Sequence, residues 1–291
     1  TDIQGGGNDL VSRALGKDHG RTTDISTSGS TGQPVTVKAT DITDLFFGAL
    51  NLRYHLWHRR DFAAKTAKIN RLKNPAMEDR PSNWVPGYVS GPMVHFDIIR
   101  PVSHQLDWLE RVRPDYLLTH PTNVHALARL SEETGVRIPS LREVVTIGEV
   151  LDPEVRVAVE RAWGLAIVDA YSAVEVGMIA LQCPEHHHYH VQAENLLVEI
   201  LDASGKPCDA GEIGRVVVTD LHNFAMPLIR YDIGDYAEYG LPCSCGRGLP
   251  VIKRVLGRPR NMLTLPSGEK LWPVFHDIFI DALANSISPL R

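Results

Sequence analysis

Apolar positions recur at helical spacing from residue 41 to about residue 60 (Leu45, Phe46, Leu50, Leu52, Leu56, Trp57), and the run closes on His58-Arg59-Arg60. This predicts an amphipathic helix whose aromatic side chains belong to a core. Residues 70–92 contain Pro75, Pro81, Pro86, Gly87 and Gly91 and predict a connecting stretch with short strands. After Pro101 the pattern becomes regular: a helix over 107–113, a strand over 115–119, a helix over 122–133 closed by Gly135, and a buried strand over 144–147. Asp152 is placed to cap a further helix, with Pro153 at its first position and Gly164 just past its end, and Ala166-Ile167-Val168 follows as a strand. Such alternation predicts an α/β fold with a parallel, helix-covered sheet and its ligand site at the carboxyl ends of the strands. Two loops fall there, Gly148-Glu149-Val150 and the segment 169–175.

From about Asn195 the period shortens. Strands are expected at 196–201, 215–219 and 227–231, with a turn at Asp202-Ala203-Ser204-Gly205, so that antiparallel strands or a small barrel fit best. A boundary is therefore expected between residues 190 and 200. It divides an α/β nucleotide-binding unit (26–194) from a smaller β-rich one (195–258), with 1–25 an approach segment and 259–291 a hinge and partial C-terminal segment.

Composition narrows the function classes. With 291 residues, 43% hydrophobic and 22% charged, the chain is long enough for a sizeable core. A net charge of -5 gives no basic footprint for nucleic acid. No apolar run reaches the roughly 20 residues a membrane span needs. The chain opens abruptly at Thr1-Asp2-Ile3-Gln4 with no leader pattern, and an upstream part is expected. Four cysteines are too few for a disulfide scaffold, and two of them form Cys243-Ser244-Cys245, a spacing that suggests metal binding in a reducing cytoplasm.

Two segments carry chemistry of their own. Thr27-Ser28-Gly29-Ser30-Thr31-Gly32-Gln33-Pro34 concentrates hydroxyls and glycines, and Val35-Thr36-Val37 continues it as a strand. Such a loop suits phosphate, because glycine lets backbone N–H groups approach an anion while Ser and Thr add donors. It is not a Walker loop, since no Gly-Lys-Ser/Thr follows and a strand rather than a helix comes next. A Ser/Gly-rich surface turn is the alternative.

The second segment, Cys183-Pro184-Glu185-His186-His187-His188-Tyr189-His190, precedes Cys243-Ser244-Cys245 by about sixty residues, a separation that antiparallel strands can close. Cys183, His190, Cys243 and Cys245 would complete a tetrahedral Cys₃His zinc site. His190 is preferred because it abuts the strand-like Val191, with His186 and His188 behind it. The alternative is a solvated His-rich loop beside two unpaired thiols. Four protein ligands make such a zinc structural, and Cys208 sits apart in a turn.

Taken in order, Thr27 to Gly32, Gly148-Glu149, Asp169-Ala170-Tyr171-Ser172-Ala173-Val174-Glu175, and Tyr231-Asp232-Ile233-Gly234-Asp235 with Gly257-Arg258 resemble the adenylate-forming superfamily. The wording of Asp220-Leu221 through Asn223, of Pro227-Leu228-Ile229-Arg230 and of Cys243 to Pro250 is most similar to the phenylacetate-CoA ligase branch with its capsule-biosynthesis-like and coenzyme F390 synthetase-like relatives. The resemblance covers roughly residues 26–262. It implies the large N-terminal domain of such enzymes, shortened at both ends.

It also implies a two-step reaction. A small, aromatic or other, carboxylic acid attacks the α-phosphate of ATP to give an acyl-AMP, and CoA or an amine then displaces AMP. On this resemblance Thr27, Ser28, Gly29, Ser30, Thr31 and Gly32 grip the β- and γ-phosphates, with Thr31 and Glu175 the catalytic pair and Glu175 holding Mg²⁺. Gly148, Glu149, Asp169, Tyr171 and Ser172 line the adenine side, Asp235 accepts the ribose hydroxyls, and Arg258 sits at the ribose and the hinge. Arg230 and Asp232 are expected as a surface ion pair without chemistry. Two departures stand out: Gln33 replaces the expected Lys, and Lys270 matches no catalytic Lys beyond the hinge. A catalytically impaired nucleotide- and zinc-binding protein is therefore a second reading, and a second copy of the chain is a candidate partner.

Overall fold

The computed structural model of the chain describes residues 10–26, 35–72, 74–78, 81–85, 88–259, 263–264 and 270–271. The Ser/Gly loop, residues 27–34, lies outside them, as does Gln33. On either side of that loop, β1 (Thr22–Ser26) and β2 (Thr36–Thr40) pair antiparallel, from Thr22↔Thr40 to Ser26↔Thr36. Helix α1 (Asp41–Trp57) follows at once. Thr40 accepts from the Thr43 amide while Thr43 accepts from the Thr40 amide at 2.8 Å, a reciprocal cap that starts the helix at Asp41.

Strands β3 (Thr66–Asn70), β4 (Ser82–Asn83), β5 (Pro92–Asp97), β6 (Tyr116–Thr119), β7 (Glu143–Ile147) and β8 (Ile167–Ala173) come next. Between them lie helices α2 (Val102–Val112), α3 (Pro121–Thr134) and α4 (Pro153–Trp163). The C-terminal half adds β9 (Gly177–Gln182), β10 (Tyr189–Val191), β11 (Leu196–Leu201), β12 (Ile213–Asp220), β13 (Tyr231–Tyr239) and β14 (Val251–Gly257). They form one twelve-stranded sheet in the order β11-β12-β13-β14-β10-β9-β8-β7-β6-β3-β5-β4. Strands β5, β3, β6, β7 and β8 run parallel. From β8 onward every pairing is antiparallel, so the parallel array ends at β8 and the expected α/β architecture carries a β-rich extension.

Helices cover both faces of the parallel part. On one face α2, α3 and α4 bury Leu106, Trp108, Leu127 and Val159 against Leu117, Val144 and Ile167. On the other, Leu50 and Tyr54 of α1 pack on Val145, Val168, Ala170 and Met178. Successive strand residues face opposite ways, so Val168 and Ala170 point at α1 while Asp169 faces away from it. The antiparallel half has its own core around Ile179, Leu196, Val216, Val218, Ile233 and Ile252.

Four sequence expectations change. The segment 169–175 is not a loop after a strand: β8 runs through Ala173, because β9 pairs with it and satisfies its polar-looking backbone. The strand expected at 227–231 begins only at Tyr231, since Arg230 takes a positive φ of 48° and Pro227 has no N–H to give a ladder. Strands β3 and β5 were hidden by the breakers around them. Leu45 and Leu56 of α1 are 64% and 58% exposed, so that helix is less amphipathic than its spacing suggests. Among the described residues no helix is long and apolar enough to cross a membrane.

Candidate functional site

The turn that ends β8 and the start of β13 bring five side chains together. Tyr171 Oη donates to Asp235 Oδ2 at 2.9 Å, and Arg258 Nε meets Asp235 Oδ1 at 2.9 Å, so both carboxylate oxygens are engaged. Tyr231 Oη donates to Glu175 Oε1 at 3.3 Å. Gly234 allows this: at φ +81° it has the Arg258 guanidinium so near that a Cβ would lie 2.7 Å from Nη1. Burial raises the Asp235 carboxyl above its ordinary value, outweighing Arg258 and the Tyr171 hydroxyl. Burial, with the Asp235 and Glu175 carboxylates, holds Tyr171 protonated, and burial with Glu175 pushes Tyr231 up to about 12. Two phenols fixed as donors beside two carboxylates and a cation make a polar corner.

Gly148 and Glu149 sit one strand over. Ile147 pairs with Ala170, so the chain leaves β7 beside Tyr171. Gly148 turns there at φ +81°, and a Cβ would press on the His120 ring at 3.2 Å. Glu149 accepts from the Thr122 amide at 3.0 Å and from its hydroxyl at 2.7 Å, which places a carboxylate at the N-terminus of α3. His120 Nδ1 lies 2.9 Å from the Ile147 carbonyl oxygen and ties the same turn.

Asp169 is elsewhere. It is 4% exposed, accepting from Thr146 at 2.5 Å and from Tyr189 at 2.7 Å, and burial raises its carboxyl against those hydrogen bonds. Its side chain is thus engaged inside the sheet, where it fixes β8 two residues before Tyr171. Its donors, Thr146 and Tyr189, carried no sequence signal.

A cavity of about 350 Å³ opens beside this cluster. Thr43, Asp44 and Phe47 of α1, Val37 of β2, and Ser172 and Glu175 line it. Asn223 Nδ2 donates to the Lys38 carbonyl at 2.7 Å and holds β2, with its partner β1, against the antiparallel half, so that Ile25 of β1 and Val37 of β2 stand at the cavity. Arg230 and Asp232 do not pair with each other: Arg230 grips Glu199 at 3.0 Å, and Asp232 accepts from Arg215 at 2.8 Å.

At the opposite end of α1 the cysteines and histidines converge. Cys183 closes the β9–β10 turn, its amide donating to the His188 carbonyl at 2.9 Å. Cys183 Sγ lies 4.0 Å from Cys243 Sγ, and Cys245 Sγ lies 3.3 Å from His190 Nε2. The donor atoms of Cys183, His188, His190 and Cys243 all fall within 4.8 Å of one another. Ligands of a tetrahedral zinc are separated by about 3.8 Å for two sulfurs and about 3.6 Å for sulfur and nitrogen, so the donor set fits the ion. His188 Nε2 is buried without a hydrogen-bond partner, an orphan that a metal would satisfy. His188 thus competes with Cys245 for a fourth position. Burial pushes the Cys243 thiol up to about 11, and Arg247 hydrogen bonding lowers that of Cys245 against its burial. Cys208 packs in the antiparallel core, away from this set.

Comparison with known proteins follows the same lines. No family model matches the chain. The phenylacetate-coenzyme A ligase of Thermus thermophilus is 28% identical over 179 residues, 59% of this chain and 40% of that protein. That of Pseudomonas putida is 26% identical over 167 residues, 55% of this chain and 38% of that protein. The chain thus spans about two fifths of the length of the curated relatives it matches. Among solved structures, 2-hydroxyisobutyryl-CoA ligase in the postadenylation state gives a TM-score of 0.73 at 19% identity, over 96% of this chain and 59% of that one. The anthranilate CoA ligase AuaEII in complex with anthranoyl-AMP gives 0.62 at 20%, over 86% of this chain and 49% of that one. The expected resemblance to the phenylacetate-CoA ligase branch of adenylate-forming enzymes, and their fold, are borne out.

Proposed function

We propose that this chain, a relative of phenylacetate-CoA ligases, carries the nucleotide-binding part of an AMP-forming acid ligase that activates a small carboxylic acid and passes it to CoA. The observation that carries this reading is the Tyr171–Asp235–Arg258 corner, a half-buried carboxylate with both oxygens oriented at the end of the parallel array. A ribose bearing two vicinal hydroxyls finds there an acceptor flanked by a donor and a cation. Adenylation asks of the protein chiefly positioning and charge neutralisation. On this reading Thr27 to Gly32 take the β- and γ-phosphates, Thr31 among them, and Glu175, aimed at the cavity and steadied by Tyr231, holds Mg²⁺. Gly148, Glu149, Tyr171 and Ser172 frame the base, and Asp169 supports them from inside the sheet.

The acid occupies the cavity between α1 and Ser172. The relatives and neighbours act on phenylacetate, 2-hydroxyisobutyrate and anthranilate by their names, and the apolar Phe47, Val37 and Val174 suit a small aromatic acid. Zinc bound by Cys183, His190, Cys243 and Cys245 joins the β9–β10 turn to the 243–247 loop and has a structural part. The test is carboxylate-dependent ATP–pyrophosphate exchange over a panel of aromatic, aliphatic and hydroxy acids. Exchange with at least one aromatic acid is expected. ATP binding without exchange for any acid would overturn the ligase reading in favour of a nucleotide- and zinc-binding protein that has lost catalysis.

A further inference from the structure

Helix α1 touches the cysteine–histidine centre with one end and the cavity with the other. At its C-terminal turn, the Trp57 ring stands edge-on to the His190 ring, with centroids 5.8 Å apart and planes at 85°. The Arg247 guanidinium lies over the same indole, 4.9 Å from its centroid, and pairs with Glu185 at 3.3 Å. His58 follows directly after the helix, its Nε2 3.2 Å from the carbonyl oxygen of Gln182, the residue before Cys183. The end of α1 is thus seated on both loops that supply the metal donors. At the N-terminal end, Thr43, Asp44 and Phe47 form one wall of the cavity. The helix has 17 residues, so about 25 Å separates its two ends.

Between those ends α1 is held by Leu50 and Tyr54, which are 4% and 3% exposed against the sheet. Such a helix moves as a unit, because sliding one turn drags the packed side chains with it. Without a metal, the 183–190 and 243–247 loops are joined by weak thiol and imidazole contacts and by the Arg247–Glu185 ion pair, and the surface on which Trp57 rests loses its metal crosslink. We propose that Trp57 is a positioning residue, through which occupancy of the metal centre sets the place of α1 and hence the shape of the cavity wall at Thr43, Asp44 and Phe47. This rests on the zinc reading above. The chemistry suits such a role, because a rigid indole with an imidazole at its edge and a guanidinium on its face has one preferred seat, whereas an aliphatic side chain there would have several.

Hydrogen exchange of the full chain, zinc-loaded and chelator-stripped, tests it, with metal content measured on each sample. In the wild type, stripping is expected to speed exchange in the ligand loops and, by about fivefold or more, in residues 43–47, while β6 and β7 stay protected. In Trp57→Ala, zinc still binds, but exchange at 43–47 is fast whether or not zinc is present; Trp57→Phe, which keeps a ring, restores the response. Stripping that accelerates only the ligand loops, or that accelerates β6 and β7 equally, overturns the transmission through α1. A wild-type chain that holds no zinc at any added concentration overturns the zinc reading itself, a result distinct from either. The wild-type comparison decides the matter even where a Trp57 variant fails to fold.

Discussion

Tyr171 Oη and Asp235 Oδ2 are joined by a 2.9 Å hydrogen bond across 64 residues of sequence. It links the last parallel strand to the antiparallel extension at the point where the candidate nucleotide corner forms. That bond carries the first expectation.

Removal of the Asp235 carboxylate leaves Tyr171 and Arg258 without their shared acceptor. Asp235→Ala is expected to weaken AMP binding on the order of 10- to 100-fold, since hydrogen bonds to a charged group contribute about 1.5–3 kcal/mol. Tyr171→Phe removes one donor and is expected to cost about fivefold, near 1 kcal/mol. Isothermal titration with AMP reads both. Unchanged affinity in Asp235→Ala would place the nucleotide elsewhere.

Asp169 predicts a pH effect. Burial raises its carboxyl above the ordinary value despite the Thr146 and Tyr189 hydroxyls and the nearby Arg156. The folded chain therefore holds that proton more tightly than the unfolded chain, and the contribution to stability falls as pH rises through the window from the ordinary carboxylate value upward. Urea unfolding of wild type and Asp169→Asn, compared between about pH 4 and pH 7, reads it. The wild type should gain on the variant as pH falls. A difference that stays flat, or runs the other way, refutes the assignment.

Arg60 and Glu143 form a buried pair at 2.5 Å, with side chains 2% and 18% exposed. Arg60 also lies over the Tyr54 ring, 4.3 Å from its centroid. Arg60→Ala is expected to cost about 3–5 kcal/mol, because it strands the Glu143 carboxylate in a buried site. Arg60→Met together with Glu143→Leu should recover most of that loss, as apolar pairs replace buried ions at little cost. Chemical denaturation of the single and double variants measures the difference, and a mild single variant alone would show the pair to be solvent-screened.

Zinc content separates the candidate ligands. Plasma emission analysis of freshly purified protein is expected to give one zinc per chain, lost in Cys183→Ser and Cys243→Ser and kept in Cys208→Ser, which packs in the core. Because a structural metal contributes folding energy directly, chelation should lower the thermal midpoint of the wild type and leave Cys183→Ser unmoved. His188→Ala and Cys245→Ser then assign the fourth ligand: the variant that loses zinc names it.

Much of this was legible in the chain. Helix α4 runs from Pro153 to Trp163 between Asp152 and Gly164, as Pro153 at its first position and a left-handed Gly164 past its end require, although the Asp152 side chain makes no capping hydrogen bond. The parallel strands β6 and β7 stand where short apolar runs put them. Less legible was β8, whose Asp169 and Ser172 look like loop residues until β9 covers them. Tyr231 was visible in a motif but had no role until the fold set its hydroxyl 3.3 Å from Glu175.

The sequence by itself determined local matters: which residues start and stop helices, which runs are apolar enough to be buried, and which side-chain types are present for phosphate, ribose or metal. The tertiary structure alone decided which of these meet. Asp169 came to be bonded to Thr146 and Tyr189, the His188 ring came within 4.8 Å of donor atoms on Cys183, His190 and Cys243, and Trp57 came to stand edge-on to His190. The reason is physical: strand alternation and helix capping are set by neighbours a few residues away, whereas a hydrogen bond across 64 residues depends on the register of every strand between.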